Sequence, residues 1–163
     1  MNKTHLLIGG NEGDTLARLA QARENIERRA GSILLASSLY QTAPWGRTDQ
    51  ADFINQALEV ETPLEAPALM ALLLQIEEKM GRIRGEKWAS RIIDIDILFF
   101  NDEIIDLPGL VIPHPEIANR RFALAPLQEI APDLIHPVLH RSIGELLAGC
   151  ADRGNVKKIT PII

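Results

Sequence analysis

Cysteine is almost missing from this chain of 163 residues: Cys150 stands alone, which excludes an intramolecular disulfide framework and any cysteine-clustered metal site. Long apolar runs are missing too. The stretch 95–100 is interrupted by charge and is far too short to cross a bilayer. Met1-Asn2-Lys3-Thr4-His5 leads straight into a short apolar run without signal-peptide architecture, so a reducing, cytoplasmic setting without membrane is expected. Positive charge is in deficit, with 17 Lys and Arg against 22 Asp and Glu, and the net charge of −5 argues against nucleic acid as a partner. The common nucleotide motifs are absent as well. There is no G-x-x-x-x-G-K-[ST] loop and no protein-kinase signature, and Gly9-Gly10-Asn11-Glu12-Gly13 does not match the dinucleotide fingerprint. Any ATP must be held by side chains and metal ions.

What is present fits one globular unit. A hydrophobic fraction of 46% with 24% charged residues suits a packed core, so a single domain spanning 1–163 is expected. A short buried strand over 5–9 ends at Gly9-Gly10-Asn11, and Asp14 or Thr15 caps a helix carrying Leu16, Leu19, Arg23 and Ile26, with Gly31 as its stop. A second strand is read over 33–41, a long loop over 42–52, and an alternating, half-buried strand over 53–61. Pro67 opens a helix with Leu69, Leu72, Leu73, Ile76 and Met80 at helical spacing. After the loop 82–91 comes a strand over 92–100, whose Asn101-Asp102 turn predicts a hairpin through 103–106. Helices are expected around 121–130 and 142–148. This order predicts an α+β fold: a ferredoxin-like β-α-β-β-α-β antiparallel sheet with its two helices on one face and a C-terminal helical extension.

One segment carries chemistry. Asp94 and Asp96 lie two apart in a strand, so they project to the same face roughly 6–7 Å apart along the chain. Leu98-Phe99-Phe100 is apolar on both faces, which argues for an interior strand, where two carboxylates need compensation. Paired hard oxygen ligands suit Mg²⁺ or Mn²⁺ bridging to substrate phosphates. Aspartates facing water, or pairing with nearby arginines, would satisfy the same spacing. The loop before them tilts the reading: Arg82, Arg84, Lys87 and Arg91 put four cations within ten residues of an otherwise acidic chain. Guanidinium forks match phosphate oxygens, and carboxylate-held metal beside arginine is the apparatus of phosphoryl-type transfer. A solvated basic loop is the plainer alternative. Both tryptophans, Trp45 and Trp88, fall in polar loops, as lids over a flat ligand would require, although partial packing on the surface would place them there too.

The run Lys87-Trp88-Ala89-Ser90-Arg91-Ile92-Ile93-Asp94-Ile95-Asp96-Ile97-Leu98 resembles the signature of the hydroxymethyldihydropterin pyrophosphokinases of folate synthesis. The resemblance extends to Tyr40-Gln41-Thr42-Ala43-Pro44-Trp45-Gly46, to Asp52-Phe53-Ile54-Asn55, and to Ile112-Pro113-His114-Pro115 with Asn119-Arg120-Arg121-Phe122. It covers nearly the whole chain. It implies transfer of diphosphate from Mg·ATP to a reduced pterin, with release of AMP, by a protein expected to be monomeric. Asp94 and Asp96 would bind two Mg²⁺ ions, and Arg82 and Arg91 would act in catalysis. Arg84, Lys87, Trp88, Ile97, His114 and Arg120 would hold ATP. Phe53 and Phe122 would stack on the pterin, with Asn55 and the backbone around Thr42, Ala43 and Trp45 reading its edge.

Some positions depart from the family pattern. Gly10 replaces a frequent serine, Ala89-Ser90 a frequent Gly-Pro, and Phe53 a frequent tyrosine. Val111 and Pro115 stand where some relatives offer ATP a hydroxyl and an aromatic ring. None removes a metal ligand or a principal arginine. His114 between two prolines is rigidly presented, either to a phosphate or as a structural histidine, while His5, His136 and His140 show no convergent partners. Two other classes fit parts of the pattern: a metal-dependent nucleotidyltransferase attacking the α-phosphorus, and a non-catalytic ferredoxin-like module that binds a small metabolite.

Overall fold

Seven consecutive buried residues, 4–10, run along β1 (Asn2–Gly10). Only a strand covered on both faces can bury such a run. The computed structural model, which describes residues 1–43, 51–81 and 92–159, shows what covers it. β1 pairs antiparallel with β4 (Phe53–Thr62) on one side and with β5 (Asp94–Phe100) on the other. β3 (Leu39–Thr42) adds to β4, β8 (Val156–Ile159) adds to β3, and β2 (Ser32–Ala36) pairs further along β4. The order β5-β1-β4-β3-β8 contains the expected ferredoxin-like arrangement, with β2 and β3 together acting as one interrupted strand.

α1 (Thr15–Arg29) and α2 (Ala66–Lys79) cover one face of the sheet. Leu19, Ala22 and Ile26 of α1, with Leu69, Leu73 and Ile76 of α2, pack on Leu6, Ile8, Leu58, Val60, Ile95 and Ile97. The apolar stripe of α1 therefore differs from the expected one. Leu16 is exposed, and Arg23 reaches Gln56 Oε1 at 2.7 Å. Asp14 caps this helix, accepting the N–H of Ala17 at 3.2 Å. The opposite face is covered by α3 (Arg121–Ile130) and α4 (Ile143–Ala148), whose Ala123, Leu124, Leu127, Ile143 and Leu146 pack on Leu7, Ala57, Leu98 and Phe99. This second layer is why β4, read from its alternation as half-buried, is buried at every position from 55 to 58.

Four further expectations are corrected. The strand read over 33–41 breaks at Ser37 and Ser38, where Ser37 Oγ accepts the N–H of Ala57 at 2.9 Å and so continues the pairing through a side chain. The hairpin expected after Asn101 does not form on β5. Asn101 instead exchanges two hydrogen bonds with the backbone of Lys3, at 2.7 and 2.9 Å, and β6 (Ile105–Leu107) pairs with β7 (Leu110–Ile112). Among the described residues β5 is a terminal strand of the sheet rather than an interior one, buried by the layers above and below it. Gly9 and Gly10 lie inside β1 rather than ending it.

Candidate active site

The strand register sets the site out in rows on the α3 side of the sheet. Asp94 pairs with Gly9, Gly9 with Asn55, Asn55 with Tyr40, and Tyr40 with Lys158, so these residues form one row across five strands. The next row holds Asp96, Leu7 and Ala57, and the row on the other flank holds Phe53 and Thr42. Cross-strand neighbours share a face, with strands about 4.8 Å apart. Asn55 and Asp94 thus sit two strands apart, about 10 Å, with glycine between them. Thr42 and Asn55 are buried, Phe53 is half-buried and Ala43 is exposed. The hydroxyl of Thr42 is buried with no hydrogen-bond partner among the described residues, an arrangement that a polar ligand would relieve.

The opposite wall comes from the segment before α3 and from its first turn. A cleft of about 190 Å³, counting space open to solvent, is lined by Leu7, Asp96, Leu98, His114, Ile117, Arg120, Phe122 and Ala123. α3 begins here because Asp152 Oδ2 accepts the N–H of Arg121 at 3.2 Å. The Arg120 guanidinium stands 5.7 Å from the centre of the Phe122 ring, holding the cation and the aromatic together at the mouth.

His114 follows Pro113, which is joined to Ile112 by a cis peptide bond. Its backbone N–H donates to Leu98 O at 3.0 Å, which ties it to β5. Its Nδ1 accepts the N–H of Glu116 at 3.1 Å, so the neutral ring carries its proton on Nε2 and presents a donor. Burial, aided by the Arg120 charge, lowers its pKa to about 4 against the opposing pull of Glu116 and Asp94. At neutral pH it is an uncharged hydrogen-bond donor.

Asp94, Asp96, His114, Arg120, Phe122, Phe53, Asn55 and Thr42 are brought to one side of the sheet. Ile97 is not: it is 5% exposed and packs into the α1–α2 core, so only its backbone is available to a ligand. Trp45, Arg82, Arg84, Lys87, Trp88 and Arg91 lie outside the described residues. Two of the other histidines, His5 and His136, do have partners. His5 Nε2 lies 3.0 Å from Glu59 Oε1, and both His5 and His136 meet Phe99 edge-on. These contacts build the core rather than the site.

Two residues were missed. From the sequence Gly9 is only the end of a short strand, yet a Cβ there would overlap Asn55 Oδ1 and stand 3.0 Å from its Cγ. Glu77 is 2% exposed, and its Oε2 accepts the N–H of Ile95 at 2.9 Å. Its signal was legible, since a carboxylate four residues after Leu73 falls on the apolar stripe of α2.

Comparison with known proteins decides the family. A model of the 7,8-dihydro-6-hydroxymethylpterin-pyrophosphokinase family matches residues 5–132. The chain belongs to this family. Pyrophosphokinases of this kind are ATP-dependent diphosphotransferases of folate synthesis that act on hydroxymethyldihydropterin. The 2-amino-4-hydroxy-6-hydroxymethyldihydropteridine pyrophosphokinase of Methylorubrum extorquens is 41% identical over 83% of this chain and 86% of its own length. That of Bacillus subtilis is 42% identical over 79% and 78%. Among solved structures, wild-type Plasmodium falciparum HPPK-DHPS with STZ-DHP shares the pyrophosphokinase fold, with a TM-score of 0.74 at 20% identity over 90% of this chain. This chain spans 43% of that longer one. No helix among the described residues is long and apolar enough to cross a membrane.

Proposed function

We propose that this chain, acting as one domain, transfers the β,γ-diphosphate of Mg·ATP to the hydroxymethyl group of 6-hydroxymethyl-7,8-dihydropterin through the residues of this sheet face. The observation that carries the reading is the shared row of Asn55, Gly9 and Asp94, which puts a ring-reading amide and a carboxylate pair on one surface. Phe53 and Phe122 bracket the planar ring, and Asn55 and Thr42 meet its hydrogen-bonding edge. The hydroxymethyl end then points along the row toward Asp94 and Asp96.

The donor set fits Mg²⁺. Two half-buried carboxylates are hard oxygen ligands, and no cluster of three or more His, Cys, Asp or Glu forms a closed cage among the described residues. Mg²⁺ is commonly held by one or two carboxylates together with substrate phosphates and water. Asp94 and Asp96 would hold two such ions, which supply charge neutralisation across the ATP phosphates when bound. His114 Nε2–H and Arg120 donate to phosphate oxygens, with Arg84, Lys87 and Trp88 assisting. The pterin hydroxyl oxygen bonds to the β-phosphorus, the bond from that phosphorus to the α,β-bridging oxygen breaks, AMP departs and the hydroxyl proton is released. Arg82 and Arg91 stabilise the charge that builds during this exchange. We assign the protein to the cytoplasm and to a monomeric state.

Incubation with Mg·ATP and 6-hydroxymethyl-7,8-dihydropterin should yield AMP and the pterin diphosphate in equal amounts. Release of free pyrophosphate would instead mean nucleotidyl transfer and would sink the reading.

A further inference from the structure

The edge of β5 is held by a carboxyl group to which the proposed reaction assigns no part. Among the described residues β5 pairs with β1 alone, so the outward N–H of Ile95, between the two aspartates, needs another acceptor. That acceptor is the Glu77 carboxylate, 2% exposed, at 2.9 Å. Glu77 lies in the last turn of α2, which packs against β5, so its carboxylate reaches this amide from a fixed helix. The peptide Glu77 grips joins Asp94 to Ile95, and the residue after it is Asp96, so its position sets the spacing and pitch of the pair. Further along the same strand, Leu98 O accepts the N–H of His114, which ties β5 to a second proposed ATP ligand.

We propose that Glu77 is a positioning residue for nucleotide binding: its carboxylate holds β5 so that Asp94 and Asp96 present their oxygens together to a divalent cation and its phosphates. This rests on the reading of Asp94 and Asp96 as metal ligands. The pterin-facing residues Phe53, Asn55 and Thr42 lie on β3 and β4 and do not depend on this grip. Glu77 therefore acts on one substrate and not the other.

The test uses the full chain with two variants that keep the site filled. Glu77→Asp withdraws the acceptor by one methylene and keeps the charge, while Glu77→Gln keeps the reach and drops the charge. Binding of Mg²⁺ with α,β-methylene-ATP and binding of 6-hydroxymethylpterin alone are measured by calorimetry, and exchange of the Ile95 amide by NMR. Glu77→Asp should speed Ile95 exchange at least tenfold and weaken Mg²⁺-nucleotide binding about tenfold, with pterin affinity held within twofold. Glu77→Gln should restore most of both losses. Parallel loss of both ligands with falling Tm would mean ordinary destabilisation and would overturn the proposal, as would unchanged nucleotide binding in Glu77→Asp. Asp94→Asn serves as the reference. If it leaves Mg²⁺-nucleotide binding unchanged, the metal reading falls and this inference with it. If it weakens binding while Glu77→Asp does not, only the role of Glu77 is lost.

Discussion

Asn55 occupies the space above Gly9 that any side chain at position 9 would need. An added Cβ would overlap Asn55 Oδ1 and approach Asn55 Cγ to 3.0 Å and Ile54 O to 3.1 Å. Glycine in a strand interior ordinarily weakens it, and here it marks a close approach. Gly9→Ala should therefore turn the Asn55 amide away and weaken pterin binding on the order of 1–3 kcal/mol, the scale for a buried polar contact left unmade. Asn55→Ala should cost a similar amount, and the double variant little more, because the two changes remove one arrangement. Calorimetry with 6-hydroxymethylpterin checks this. Full additivity, or unaltered affinity in Gly9→Ala, would separate the two residues.

The element order and most boundaries could be read because each rests on local rules. Helical spacing marks α2, a capping aspartate marks α1, and period-two spacing puts Asp94 and Asp96 on one face. What escaped the reading was decided by distant partners. Ser37 breaks a strand only because the N–H of Ala57 lies opposite and donates to its hydroxyl oxygen. Asn101 abandons a hairpin because Lys3 offers it two backbone bonds. The α3–α4 layer buries the second sheet face, which composition alone does not assign. At the site, the row from Asp94 through Gly9 to Asn55 depends on strand register, and register is invisible until the sheet is assembled.

Phe122 stands in the first turn of α3, half-buried, across the cleft from the sheet. If it closes one side of the ring slot, Phe122→Ala should weaken pterin binding by on the order of 1–3 kcal/mol, the scale for a base stacked on an aromatic side chain. The Arg120 guanidinium lies over the same ring, so nucleotide affinity should fall as well, by a smaller factor. Titration of each ligand separately distinguishes the two. Unchanged pterin affinity would remove Phe122 from the slot.

Arg91 carries a different prediction because its proposed partner is charge that exists only during the reaction. Arg91→Ala should fold normally and bind both substrates, yet lose on the order of 10²–10³ in turnover, the scale for deleting one transition-state donor. Steady-state kinetics beside calorimetry reads the split. A rise in KM with unaltered kcat would make Arg91 a ground-state ligand instead.

His114 gives the pH dependence its direction. Burial and Arg120 hold its pKa at about 4, below its ordinary 6.5. Between those values the unfolded chain binds more protons than the folded one, so stability rises with pH across this window. The contribution of the neutral ring is complete above 6.5 and drains as pH falls toward about 4. His5 and His136 are shifted downward too, chiefly by burial, and add to the same slope. The Tm of the unmodified chain should accordingly drop from pH 6.5 to 4, and His114→Gln should flatten that drop without abolishing it. NMR titration of the His114 ring should leave it neutral at pH 6, with a midpoint near 4. A midpoint at the ordinary value would show that Arg120 and the cleft do not act on the ring, and would withdraw it as a neutral donor to phosphate.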